Sequence, residues 1–172
     1  MADLKTGTQE LEYLLRQIGH LINHYTRSYL SERNLTMARF WVLSNLYAMQ
    51  PSTMGDLQKR VLLAPGTVTG LVDGLVEEGL VERWREEKDR RLVFLKLTPE
   101  GERALADVLR FRASVLEKAL SGLNDIDLGR LNSALNSLLN SLRNQCPYIP
   151  SGGRLPTGPY GGHSYGDKNS DQ

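Results

Sequence analysis

The residues that could do chemistry fall in two short runs. The first is GTVTGLVDGLVEEGL, residues 66–80, which follows Pro65 and carries Thr67 and Thr69 between Gly66 and Gly70. A threonine hydroxyl can hydrogen-bond a base edge or a phosphate, and its methyl can meet a thymine methyl. Glycine lets a backbone approach a partner closely. The second run holds Arg85, Lys88, Arg90 and Arg91, with Asp89 among them. Such a cluster is suited to phosphate contact. Lys59 and Arg60 lie a little upstream and are further candidates for it.

Other chemistries have little to stand on. His20 and His24 stand at i and i+4 and could share a metal, but no Asp, Glu or Cys completes the set locally. Interface or surface histidines are the simpler reading, and no metal or other cofactor is expected. Cys146 is the single cysteine, so no disulfide can form within the chain, and no adjacent basic group would lower its pKa. There is no phosphate loop and no ordered nucleophile–base set. Glu77 and Glu78 read as a solvated helix end. An enzyme is not expected.

Elements of definite type must position these residues. Residues 9–30 carry Leu11, Leu14, Leu15, Ile18, Leu21, Ile22 and Tyr25 at helical spacing, a broad apolar stripe. Asn34 and Thr36 punctuate the chain. Residues 37–49 are apolar almost all round and predict a buried helix ended by Pro51. Thr53 with Asp56 has the spacing of a capping box and opens a short helix. Pro65 at a first helical position opens the next, about 65–78, in which Val68, Leu71, Val72 and Leu75 form the apolar stripe. Opposite that stripe lie Thr67, Thr69, Gly70, Asp73 and Gly74. Gly79 suits its C-cap. Two short helices joined by a tight connection are a helix-turn-helix signal.

The period then changes. Residues 80–86 and 91–97 alternate apolar and polar around EKDR, which predicts a β-hairpin. Thr98 and Pro99 open a long helix to about Leu120. The last helix, about 126–144, has Leu128, Leu131, Leu135, Leu138 and Leu142 in a seam of threes and fours. Two repeats are too few for a free coiled coil. They suit packing on a partner helix, within the chain or across a dimer. Residues 146–172 are rich in Gly, Pro, Ser and Tyr without apolar periodicity and are expected to be a disordered tail.

A formal net charge of +1 argues neither for nor against a nucleic-acid partner, so a local patch must carry that argument. No stretch approaches 18 apolar residues and the N-terminus lacks the pattern of a signal peptide. The expectation is a cytoplasmic protein with no membrane partner.

The stretch DLQKRVLLAPGTVTGLVDGLVEEGLVERWREEKDRRLVFLKLTPEGERAL resembles the DNA-binding core of the MarR (multiple antibiotic resistance regulator) family of transcription factors. The most specific part is DRRLVFLKLTPEG, in which Asp89, Arg91, Leu97, Thr98 and Gly101 match the family's wing and the turn after it, preceded by GLVER at 79–83. The resemblance implies a mainly α fold with a small β-hairpin wing, a winged helix-turn-helix embedded in a helical dimerisation frame. Residues 36–98 would form the winged helix-turn-helix; residues 9–35 and 99–145 would form the helical dimerisation region.

A homodimeric regulator of double-stranded DNA is implied, a repressor on a pseudo-palindromic operator, with a small-molecule effector as a further partner. The helix at 65–78 would enter the major groove with Pro65, Gly66, Thr67, Thr69 and Gly70. Arg91 would enter the adjacent minor groove, directed by Asp89, while Lys59, Arg85, Lys88 and Arg90 would add contacts. The effector pocket would lie between frame and winged helix, where His20, His24, Arg39 and Trp41 are candidates, although Trp41 also suits the core.

One departure stands out. Many family members carry Arg or Lys where this chain has Gly70, and often a second at Gly74. Residues 52–98 hold eight Lys and Arg against eight Asp and Glu. Weak or strongly site-dependent DNA binding is therefore expected, since each missing phosphate contact removes a counterion-release contribution. The rival reading is a winged helix that has lost DNA and binds another protein. The missing cations at 70 and 74 favour it, and the retained Asp89 and Arg91 oppose it.

Overall fold

The structure is a computed structural model that describes the chain over residues 2–61, 63–86, 92–123 and 127–145, with side chains from Thr6 onward. Six helices and three strands follow one another within it: α1 (Ala2–Ser31), α2 (Met37–Met49), β1 (Ser52–Thr53), α3 (Met54–Arg60), α4 (Pro65–Glu77), β2 (Val81–Arg85), β3 (Val93–Leu97), α5 (Pro99–Ser121) and α6 (Leu128–Gln145).

The starts of α2 to α5 have local causes. The Thr36 hydroxyl accepts from the Arg39 N–H at the head of α2. Thr53 accepts from the Asp56 N–H and donates its own hydroxyl to the Asp56 carboxylate at 2.6 Å, a reciprocal cap on α3. Pro65 stands in the first turn of α4. Thr98 caps α5 by accepting from the Gly101 N–H. The end of α4 is as definite. Gly79 adopts φ +69, and the N–H groups of Gly79 and Leu80 turn back to the carbonyls of Val76 and Leu75. That is a Schellman turn, which favours glycine at its left-handed position.

The three strands form one antiparallel sheet in the order β1-β3-β2. The hairpin expected from the alternating pattern is present, with Val81 opposite Leu97 and Arg85 opposite Val93. The third strand is a difference from the sequence reading: Ser52 and Thr53 pair with Leu95 and Phe94. Two residues are too few to show a period. On one sheet face Val81, Leu95 and Leu97 are buried; on the other Trp84 stacks on Phe94 at 5.7 Å, and Lys96 pairs with Glu82 at 3.3 Å.

The core lies where the sheet, α2, α4 and α5 meet. Leu43, Leu46, Leu57, Val68, Val72, Leu75 and Leu105 are almost wholly buried in it. The end of α1 joins through Leu30 and Thr26. Three expectations need correction. The first helix starts at Ala2 rather than at 9, because no proline stops it and extending a formed helix is easy. Helix α2 is not buried all round: Trp41 is 41% exposed. Helix α6 begins at Leu128, where Asp127 accepts from the Arg130 N–H.

Beyond the core the frame is bare. No residue of α6 is buried, and Leu128, Leu131, Leu135 and Leu142 lie open to solvent. On α1 the residues Leu11, Leu14, Leu15, Ile18, Leu21 and Tyr25 do the same.

Candidate nucleic-acid interface

The helix pair is held at its angle by side chains. Gln58 on α3 donates from its amide to the Thr69 hydroxyl at 3.2 Å and to the Pro65 carbonyl at 3.4 Å. Thr69 in turn donates to the Pro65 carbonyl at 3.1 Å. One glutamine thus ties the first helix to the opening turn of the second. At the other side of α4, Asp73 accepts from Arg83 on β2 at 2.5 Å, which fixes the helix against the sheet.

Buried and open faces of α4 divide as the apolar stripe requires. Val68, Val72 and Leu75 are buried. Pro65, Gly66, Thr67 and Gly70 are exposed, and a Cβ added at Gly66 or Gly70 would meet nothing within 4 Å. Gly74 is placed differently from the reading that put it on the outer face. A Cβ there would lie 2.7 Å from the Arg39 guanidinium, which crosses from α2 to pair with Glu78 at 2.5 Å. Gly74 therefore makes room for an ion pair, and Glu78 is one of its members rather than a plain solvated carboxylate.

Around this face, Lys59 on α3 and Arg85 at the end of β2 are both exposed. Lys88, Asp89, Arg90 and Arg91 lie outside the described residues, as do Cys146 and the tail. The four candidate pocket residues are not brought to one place within the chain. His20 and His24 are exposed on α1, and Arg39 is engaged with Glu78. Trp41 lines a groove of about 430 Å³ with Ala38, Asn45, Arg60, Val61 and Leu63, which includes none of the other three.

Sequence reasoning missed Asp73–Arg83 and the contact of Arg112 with α1. Arg112 on α5 donates to the Thr26 hydroxyl at 2.8 Å and to the Asn23 side-chain oxygen at 3.2 Å, and burial holds its pKa below the ordinary value. These partners are far apart in the chain and share no period that could signal them. Among the described residues no group of three or more acidic, histidine or cysteine side chains could hold a metal, and no helix is long and apolar enough to cross a membrane.

Two helices at a fixed angle, an exposed second helix and a hairpin beside it define a winged helix-turn-helix of the DNA-binding type. The family model described as MarR family matches residues 35–93. An uncharacterised helix-turn-helix transcriptional regulator of Bacillus subtilis, YsmB, is 32% identical over 126 residues, covering 73% of this chain and 86% of that protein. The B. subtilis transcriptional repressor YetL is 29% identical, covering 72% and 75%. Among solved structures, the transcriptional regulator Tm0710 of Thermotoga maritima superposes with a TM-score of 0.66 at 30% identity, covering 80% of this chain and 96% of that one. The chain belongs to the MarR family of helix-turn-helix transcriptional regulators. Its relatives are regulators of transcription, not enzymes.

Proposed function

We propose that the protein is a homodimeric, sequence-specific repressor that binds a pseudo-palindromic operator, with one α4 in each of two major-groove segments. The observation that carries the dimer is the exposed leucine seam of α6 together with the apolar stripe of α1. Large apolar side chains repeated along an exposed helix face mark an interaction face. A two-fold pairing of α1, α5 and α6 covers it and sets two winged helices side by side. Arg91, directed by Asp89, enters the minor groove beside each α4, and Lys59, Arg85, Lys88 and Arg90 meet phosphates. A small-molecule effector that relieves binding belongs to the same proposal. The Trp41 groove supports it, since its volume lies within the range of about 300–1,000 Å³ usual for ligand sites.

Fluorescence anisotropy across a salt series, with DNA from upstream of the protein's own gene, tests the reading with wild type and Arg91→Ala. Site-preferring, salt-sensitive binding by a dimer, weakened by the substitution, is expected. The log–log salt slope should fall well short of that of a ten-phosphate contact set. Indifference to sequence and to Arg91 would instead favour the protein-interaction module.

A further inference from the structure

The reading code of the major groove is short. Arg or Lys reads guanine, Asn or Gln reads adenine, Asp or Glu accepts from cytosine, and Ser or Thr bonds any base or touches the thymine methyl. Helix α4 can be tested against that code residue by residue. It contains no Arg, Lys, Asn or Gln. Its aspartate, Asp73, is committed to Arg83. The glutamine nearest to it, Gln58 on α3, spends its amide on Thr69 and Pro65, and the Thr69 hydroxyl is held between Gln58 and the Pro65 carbonyl. Glu77 stands in the last turn, away from the N-terminal residues that reach base edges in this geometry. Gly66 and Gly70 offer no side chain. Thr67 is left: it is exposed in the first turn and its side chain makes no hydrogen bond among the described residues, whereas Thr69 is half-buried.

Resting on the DNA-binding proposal above, we infer that Thr67 is the specificity-determining residue of α4, and that it reads thymine through methyl contact rather than guanine through a cation. The half-site under α4 is then chosen for its A·T pairs, with the thymine 5-methyl against the Thr67 methyl. Guanine is not read there by a bidentate cation, because α4 has no donor fork to span its N7 and O6 acceptors. Discrimination of this kind is built from apolar contacts worth about fourfold each, the value of one buried methyl-sized group. It also explains how a recognition helix can lack any cation and still be selective.

The test uses the full-length protein. Binding sites are first selected from a random duplex pool. Each thymine of the selected half-sites is then replaced by deoxyuridine, which lacks only the 5-methyl, and each guanine by 7-deazaguanine, which lacks only the N7 acceptor. Affinities are measured for wild type, Thr67→Ser and Thr67→Val, with deoxyuridine in the flanks as control.

A loss of about fourfold is expected for deoxyuridine at one or two half-site positions, and none for 7-deazaguanine. Thr67→Val, which keeps the methyl, should retain that deoxyuridine effect, and Thr67→Ser, which removes it, should abolish it. Equal deoxyuridine sensitivity in wild type and Thr67→Ser would overturn the role of Thr67. A half-site indifferent to deoxyuridine and dependent on guanine N7 would overturn thymine reading altogether. Failure to enrich any sequence would overturn the DNA-binding proposal itself, an outcome distinct from the other two.

Discussion

The carbonyl oxygen of Leu80 lies where a side chain on Gly101 would begin: a Cβ added at Gly101 would sit 2.0 Å from it. That oxygen accepts the Thr98 N–H at 3.1 Å, while the Thr98 hydroxyl donates to the Gly79 carbonyl at 2.7 Å. The first turn of α5 is thus clamped onto the turn between α4 and β2. Gly101→Ala should destabilise the protein even though alanine is the better helix former by about 1 kcal/mol. The contact is with backbone, which cannot swing aside, so a loss of about 1–3 kcal/mol, as for an overpacked core, is expected. Urea unfolding followed by circular dichroism would register it as a lowered midpoint.

The glycines of α4 should behave unequally. At Gly70 an added methyl meets open space, so Gly70→Ala should stabilise by about 0.5–1 kcal/mol through the gain in helix propensity. At Gly74 the same methyl pushes on the Arg39 guanidinium and loosens its bridge to Glu78. The tip of an arginine can move, so the cost is modest, but it should consume much of the gain. Thermal melts of the two variants should rank Gly70→Ala above Gly74→Ala. The reverse order would remove the packing role given to Gly74.

Arg112 makes a prediction about pH. Its guanidinium bonds neutral acceptors on α1, Thr26 and Asn23, and burial lowers its pKa. A base whose folded pKa is lowered is penalised in its charged form. Stability therefore rises only as pH climbs through that folded pKa, where the unfolded chain still holds the proton. Arginine does not reach that range near neutrality. Arg112→Met should lose about 1.5–3 kcal/mol, the usual worth of hydrogen bonds from a charged donor. That loss should be the same at pH 6 and pH 9. A loss that changed between these pH values would mean that another titrating group senses Arg112.

What could be read from the sequence were features with a local cause. Thr53, Pro65, Gly79 and Thr98 each act on atoms within a few residues, so the elements they bound were legible, and the hairpin showed its period of two. Long-range pairs were not. Gln58 with Thr69, Asp73 with Arg83 and Arg39 with the space over Gly74 depend on how separate elements meet, and no spacing announces such a meeting. Strand β1 was invisible for another reason: it is a strand only because β3 offers it an edge. In the candidate interface the residue types of α4 were legible, but not which of their polar groups were already occupied, and that occupancy decides what the helix can read.

In the proposed dimer the α6 seam and the α1 stripe are covered by the partner chain. Leu135 on α6 is 41% exposed and Leu21 on α1 is 54% exposed, so neither contributes to the core of its own chain. A charge at either position should leave the winged helix folded while opposing association, because an ionised carboxylate is costly to bury unpaired. Leu135→Asp and Leu21→Asp should each shift the mass measured by light scattering from dimer toward monomer. DNA affinity should fall with dimerisation, since two linked half-site contacts are worth far more than one. A monomeric variant that kept full affinity would separate dimerisation from DNA reading. A dimer unaffected by either charge would place the interface elsewhere on the frame.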